Sequence, residues 1–236
     1  MQERAKNPAE IISFNGLLVI VGGGTVDAEL LSELYLRGGH LVGADGGADV
    51  IADAGFKPEA IIGDLDSLRE PMSWLGRTRI ISLAEQETTD FEKALYSTGA
   101  PVTVALGMTG RRFDHTLAAL DAVARQAVER PIILVDESDI AIALSGALAF
   151  AVEPRERVSV YPLTPIRFRK SEGLKYPLDG LKMAPGEKSG TSNEAVTGPF
   201  SIEPDPRGHP PTWMLILDKR HLFELIAVLL ERDAKA

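Results

Sequence analysis

Hydrophobic and polar positions alternate along this chain with two different rhythms. Up to about residue 136, short continuous apolar runs alternate with stretches of helical period. Leu17–Val21 is apolar at every position, as in a strand covered on both faces. It ends at Gly22-Gly23-Gly24, and 27–37 then places Leu30, Leu31, Leu34 and Tyr35 on one helical stripe, stopped by Gly38-Gly39. The pattern repeats. His40–Ala44, 58–63, 79–83, 101–106 and Ile132–Val135 read as strands. Between them, 48–54, 89–95 and 113–127 read as helices. Thr89 and Glu92 have capping-box spacing, with Phe91, Ala94 and Leu95 as that helix's apolar stripe. Phe113, Leu117, Leu120, Val123, Ala124 and Ala127 form the expected stripe of the next helix. Alternation of this kind predicts a largely parallel sheet with helices on both faces.

Beyond 136 the texture changes. Strand-like runs at 140–144, 149–152, 158–162, 181–184, 195–200 and 214–217 are separated by Pro, Gly and Ser turns. They predict a small antiparallel sandwich or barrel. Residues 204–211 read as an exposed loop, and 219–231 as a closing amphipathic helix. The expected organisation is therefore an α/β domain over 1–136 and a small all-β domain with a C-terminal helix over 137–236. The polar stretch 1–15 is expected to be a loose arm or a short edge element.

Composition narrows the possibilities. The 236 residues carry a net charge of −9, which argues against a general nucleic-acid or anionic-membrane surface. No apolar run is long enough to span a bilayer, and Met1–Lys6 lacks the apolar core of a signal peptide. There is no cysteine, which excludes disulfides and thiolate metal sites and fits a cytoplasmic protein. An anionic ligand would need local help from a metal or a few Lys and Arg.

The strand ends supply that help. In Gly63-Asp64-Leu65-Asp66, two carboxylates at i and i+2 point to one face of extended chain. Like charges so placed repel unless a cation lies between them, and hard oxygen ligands suit Mg2+. An Asp-rich turn capping the next helix would look the same. Ligands of doubly wound sheets bind at the carboxyl ends of the strands. There the map gathers Gly22–Gly24, Asp45-Gly46-Gly47, Asp64 and Asp66, then Gln86, Asp90 and Lys93, then Gly110, Arg112, Asp114 and His115. Glycine-rich backbone, carboxylates and a few cations at one edge suit a nucleotide polyphosphate with Mg2+. The blander readings stay open residue by residue: Lys93 as an exposed helix charge, His115 as a structural hydrogen-bonder, Arg112 and Asp114 as a mutual pair. A dinucleotide fingerprint is disfavoured, because Asp27 stands where its third glycine belongs.

Taken together, 44–48, 62–67, 89–95 and 110–115, followed by 173–178 and 191–194, resemble the ordered signatures of thiamine pyrophosphokinases over about residues 16–217. The resemblance implies an α/β nucleotide domain joined to a β-sandwich. It implies a homodimer whose active site lies between subunits, and Mg2+-dependent transfer of pyrophosphate from ATP to thiamine's hydroxyl. By motif, Asp45, Asp64, Asp66 and Asp90 would form the catalytic acid cluster, with Asp45, Asp64 and Asp66 as metal ligands. Gln86, Thr89, Lys93, Gly110, Arg112, Asp114 and His115 would hold ATP. Tyr176 would stack on the thiamine pyrimidine, with Ser192 and Asn193 around it. Three positions depart from the family pattern. Arg111 stands in place of a glycine, adding a phosphate contact or changing the loop, Gly190 stands in place of a serine, and Glu85 precedes Gln86 where an aspartate is common, which keeps a carboxylate. The departures leave room for the same chemistry on another alcohol, such as a hydroxymethyl-pterin. A non-catalytic nucleotide or thiamine sensor is the alternative from another class.

Overall fold

A computed structural model describes residues 12–207 and 210–234. The expected N-terminal arm falls mostly outside these residues, as does part of the 204–211 loop. The first half runs β1 (Ile12–Ser13), β2 (Leu17–Val21), α1 (Ala28–Leu36), β3 (His40–Ala44), α2 (Gly47–Asp53), β4 (Ala60–Gly63) and β5 (Arg79–Ser82). It continues with α3 (Asp90–Tyr96), β6 (Thr98–Gly99), β7 (Val102–Leu106), α4 (Phe113–Gln126) and β8 (Ile132–Val135). The second half is β9 (Asp139–Ser145), β10 (Leu148–Ala151), β11 (Arg157–Pro162), β12 (Ile166–Glu172), β13 (Lys182–Met183), β14 (Gly190–Glu194), β15 (Pro199–Pro204), β16 (Thr212–Asp218) and α5 (Leu222–Asp233).

One ten-stranded mixed sheet carries the molecule, in the order β14-β11-β16-β9-β8-β7-β2-β3-β4-β5. The six strands from β8 to β5 pair in parallel, and β8 then pairs antiparallel with β9, Ile132 opposite Ala143. The expected boundary at 136 thus falls at a turn inside a continuous sheet. A second sheet, β10-β15-β12-β13, lies against the antiparallel end. Phe168 of β12 meets Trp213 of β16 edge to face at 5.7 Å.

Every residue of β2 is buried, and alternate residues serve opposite faces. Leu17, Val19 and Val21 join the core under α1 and α5, which continues between the two β layers. Leu18 and Ile20 join the core under α3 and α4.

Several local expectations give way. Thr89 caps α3 by accepting from the Glu92 N–H, but Glu92 does not reach back to close a capping box. Its carboxylate instead binds Arg125 of α4 at 2.8 Å, a charge partner from the neighbouring helix. On α4 the stripe is rotated: Ala119, Ala122 and Val123 are buried, whereas Phe113 is 77% and Leu117 50% exposed. Small residues let this helix lie close to its neighbours, and the bulky ones at its start face outward. The expected strand at 195–200 is mostly the turn between β14 and β15, with Gly198 at φ +104°. Strands β12 and β14 were not expected. The closing helix begins with a 3-10 turn, Lys219–His221, before α5. Among the described residues no helix is long and apolar enough to cross a membrane.

Candidate active site

The carboxyl ends of β7, β2, β3, β4 and β5 open into one cleft of about 1160 Å3. Its floor is made by tight backbone contacts. A side chain on Gly47 would place Cβ 1.8 Å from the Val21 carbonyl oxygen, so only glycine lets α2 start against the end of β2. The contact that demands this glycine is with the chain itself.

Three acids meet above that floor. Asp45 ends β3 in a left-handed conformation, φ +46°, which is uncommon for a residue with a Cβ. The strain aims its carboxylate inward. Oδ2 accepts from the Ser67 N–H at 3.0 Å, while Oδ1 is buried without a hydrogen-bond partner. Burial, opposed by the Ser67 contacts and reinforced by the charges of Asp90 and Asp64, pushes the Asp45 carboxyl above its ordinary range. Asp64 is held differently. Its Oδ2 accepts from Gln86 Nε2 at 3.0 Å, and that bond leads the contacts that keep its carboxyl below the ordinary range despite partial burial. Asp66 is exposed and accepts from the Ser67 hydroxyl at 2.9 Å. One oxygen from each of Asp45, Asp64 and Asp66 lies within 4.8 Å of the others. That spacing, with an unpartnered carboxylate oxygen among the three, fits a hard divalent cation.

Asp90, at the start of α3, completes the group. Its Oδ1 accepts from the Asp64 N–H at 3.3 Å and from Lys93 Nζ at 3.0 Å. Lys93 is not an exposed helix charge: it is 1% exposed, and its ammonium also lies 3.9 Å from Asp64. Gly63 sits where a Cβ would come within 2.9 Å of both Asp45 Cβ and Asp90 Oδ1. The glycine of the Gly63-Asp64 pair is therefore demanded by the crowding of carboxylates around it.

The remaining expected residues divide. Gln86, Thr89, Lys93, Arg112 and His115 line the cleft; Gly110 and Asp114 do not. Arg112 binds Asp114 with two hydrogen bonds, 3.1 and 2.6 Å, so the mutual pair is real. Tyr176, Ser192 and Asn193 lie on the antiparallel half, away from the cleft lining. Tyr176 is 60% exposed. Asn193 is buried and clasps Tyr176 by its backbone, accepting from the Tyr176 N–H at 3.0 Å and donating to its carbonyl at 2.8 Å. Ser192 takes a left-handed turn at φ +60°, its N–H donating to Ser159 Oγ at 2.9 Å. A Cβ at Gly190 would lie 3.2 Å from Met183 Cε, the end of a flexible side chain.

Sequence reasoning missed two supports. Arg69 straps the loop after Asp66 to α2: its backbone N–H donates to Asp49 at 2.8 Å and its guanidinium to Asp53 at 2.6 Å. The signal was the i, i+4 pair Asp49 and Asp53 on one helix face. Glu85 holds the turn that carries Gln86, accepting from the Glu87 and Thr88 N–H groups at 2.7 and 3.1 Å and from the Tyr96 hydroxyl at 3.1 Å.

A parallel sheet whose strand ends gather carboxylates, a buried lysine and bare backbone in one cleft defines a class: α/β proteins with a candidate ligand site at the carboxyl edge of the sheet. Comparison with known proteins narrows the class. Residues 33–134 match the family model described as "Thiamin pyrophosphokinase, catalytic domain". Thiamin pyrophosphokinase 1 of Caenorhabditis elegans is 28% identical over 155 residues, which are 59% of this chain and 63% of that protein, just under two thirds of its length. Thiamine pyrophosphokinase 1 of Oryza sativa subsp. japonica is 27% identical over 194 residues, covering 68% of this chain and 73% of that one. The fold matches the crystal structure of thiamine pyrophosphokinase from Bacillus subtilis with a TM-score of 0.69 at 21% identity, over 86% of this chain and 98% of that one. The yeast thiamin pyrophosphokinase structure matches with a TM-score of 0.67 at 14% identity, over 95% of each chain. Over these spans the chain is similar to thiamine pyrophosphokinases in sequence, and to their solved structures in fold.

Proposed function

We propose that this chain is a thiamine diphosphokinase, transferring pyrophosphate from ATP to the hydroxyl of thiamine with Mg2+ in the acidic cleft. The observation that carries the reading is the three-acid group: one oxygen from each of Asp45, Asp64 and Asp66 lies within 4.8 Å of the others, and buried Asp45 keeps one oxygen without a hydrogen-bond partner. In the reaction the thiamine hydroxyl oxygen attacks the β-phosphorus of ATP. The bond from that phosphorus to the α,β-bridging oxygen breaks, AMP leaves, and the hydroxyl proton passes to solvent or a carboxylate.

Asp45, Asp64 and Asp66 would hold Mg2+, which supplies charge neutralisation on the phosphate oxygens as the bond changes. Gln86 fixes the Asp64 carboxylate by donating to one of its oxygens. Lys93, locked by Asp90, presents a buried positive charge beside the same acids, where a transferred phosphoryl group develops charge. Thr89 orders the first turn of α3, and with it Asp90 and Lys93. Catalysis of this kind rests on positioning and electrostatics.

Residues 1–136 would then serve the nucleotide. Residues 137–236, read as a β-sandwich domain, would serve the acceptor, with Tyr176 stacked on the thiamine ring and Asn193 as the clamp that sets Tyr176. Because, among the described residues, the lining of the cleft draws on none beyond Ala119, we infer a homodimer in which a partner subunit brings its acceptor residues to this cleft. A cytoplasmic location belongs to the same reading. Incubation with ATP, Mg2+ and thiamine tests the proposal: AMP and thiamine diphosphate form together, and failure of both to appear overturns it.

A further inference from the structure

Four long cationic side chains line the cleft: Arg69, Lys93, Arg111 and Arg112. Three are matched to carboxylates. Arg69 binds Asp53 at 2.6 Å, Lys93 binds Asp90 at 3.0 Å, and Arg112 binds Asp114 at 2.6 Å. Arg111 has no carboxylate partner among the described residues. The hydrogen bond it makes is to a neutral acceptor, from Nη1 to the Gly23 carbonyl at 3.3 Å, which leaves most of its five N–H donors for something else. The side chain is exposed, so no desolvation cost holds it back.

Its place along the strand ends gives that excess charge a use. The loop bearing Arg111 follows β7, and Gly23 follows β2, next door. The acids stand at the ends of β3 and β4. Strands lie about 4.8 Å apart, so the acidic group is roughly 10–14 Å along the edge from the end of β7. A polyphosphate anchored at the acids and running toward β2 meets bare glycine backbone and then Arg111. Close packing fixes the geometry there: a Cβ on Gly24 would come within 2.3 Å of the Gly107 carbonyl oxygen, so the two loops are held against each other beneath the guanidinium.

We propose that Arg111 is a phosphate-binding residue of this chain, taking the end of the nucleotide's phosphate chain that lies toward the glycine turn. It rests on the cleft being the nucleotide site. The arginine that the family resemblance assigns to ATP, Arg112, is already neutralised by Asp114, and its neighbour carries the unmatched charge.

Titration with α,β-methylene-ATP and Mg2+, and separately with adenosine, tests the assignment on the wild-type chain, Arg111→Met and Arg111→Lys. A charge-assisted guanidinium–phosphate contact predicts that Arg111→Met weakens α,β-methylene-ATP binding about tenfold or more, that Arg111→Lys recovers part of the loss, and that adenosine affinity stays unchanged. Undiminished binding of α,β-methylene-ATP by Arg111→Met, or equal loss for adenosine, overturns the assignment while leaving the nucleotide site standing. A wild-type chain that binds neither ligand overturns both.

Discussion

Replacing Asp45 with asparagine changes one oxygen for an amide group and removes one negative charge from a crowded place. In the native chain the Asp45 carboxylate is 3% exposed, one of its oxygens has no partner, and oxygens of Asp64 and Asp66 lie within 4.8 Å. Two unit charges at that separation repel by roughly 3 kcal/mol at an effective dielectric of about 20. That is an upper bound here, because Asp66 is exposed and screened. Asparagine keeps an oxygen for the Ser67 N–H and turns the orphaned position into a donor toward the neighbouring acids. Without divalent cation, Asp45→Asn is therefore expected to stabilise the fold by about 1 kcal/mol, raising Tm by roughly 2–4 °C for a chain of this size. With Mg2+ the order reverses. A ligand at a hundred times its Kd stabilises the native chain by about 2.7 kcal/mol, and a chain that has lost one of three ligands gains much less. Thermal melts in chelator and in millimolar Mg2+ read both effects. Two results would refute the reasoning: a variant less stable than wild type in chelator, or one whose Mg2+-dependent rise equals wild type's.

Other consequences are equally open to measurement. Gly47→Ala puts a methyl 1.8 Å from the Val21 carbonyl oxygen, so the start of α2 must move; about 2 kcal/mol of stability should go, and an unchanged melt would show that contact to be relaxed elsewhere. Burial acts to raise the Glu156 carboxyl, but Arg220 and His221 beside it outweigh that and hold it below the ordinary range, so the stability it lends is present above about pH 4.5 and is lost as pH falls through its lowered value. Glu156→Gln should thus be less stable than wild type at pH 7 by about 1–2 kcal/mol and show a flatter acid limb; parallel curves at all pH values would remove the ion pair from the account. Asp64→Asn and Tyr176→Ala should each be inactive alone. If the site is shared between subunits, mixing and refolding the two should restore about a quarter of wild-type activity, since half of random dimers carry one intact site, whereas a site within one chain restores none.

Much of this was legible in the chain. The runs at Leu17–Val21, Leu41–Ala44 and Ile132–Val135 are buried throughout, as continuous apolar runs in an α/β context should be. The acidic cluster was legible because Gly63, Asp64 and Asp66 combine a residue needed for space with two needed for charge. What was hidden depended on partners distant in sequence. Glu92 has the spacing of a capping box, and only the position of Arg125 on α4 draws it away. The phase of α4 was misjudged because Phe113 and Leu117 look like core, while its packed face is mostly alanine. Strand β12 did show alternation, Ile166 and Phe168 inward with Arg167 and Arg169 outward, but its charged positions masked the period. The pairing of Arg112 with Asp114 was one of the readings the sequence left open, but that Arg111 is left without such a match could not be read from spacing, since both arginines precede the same aspartate.

The central claim is the transfer of a pyrophosphoryl group, and following the phosphorus tests it most directly. With thiamine, Mg2+ and ATP labelled at the β-phosphorus, the account predicts label in thiamine diphosphate and one unlabelled AMP for each molecule formed. Label retained in ADP, with thiamine monophosphate as the other product, would contradict it.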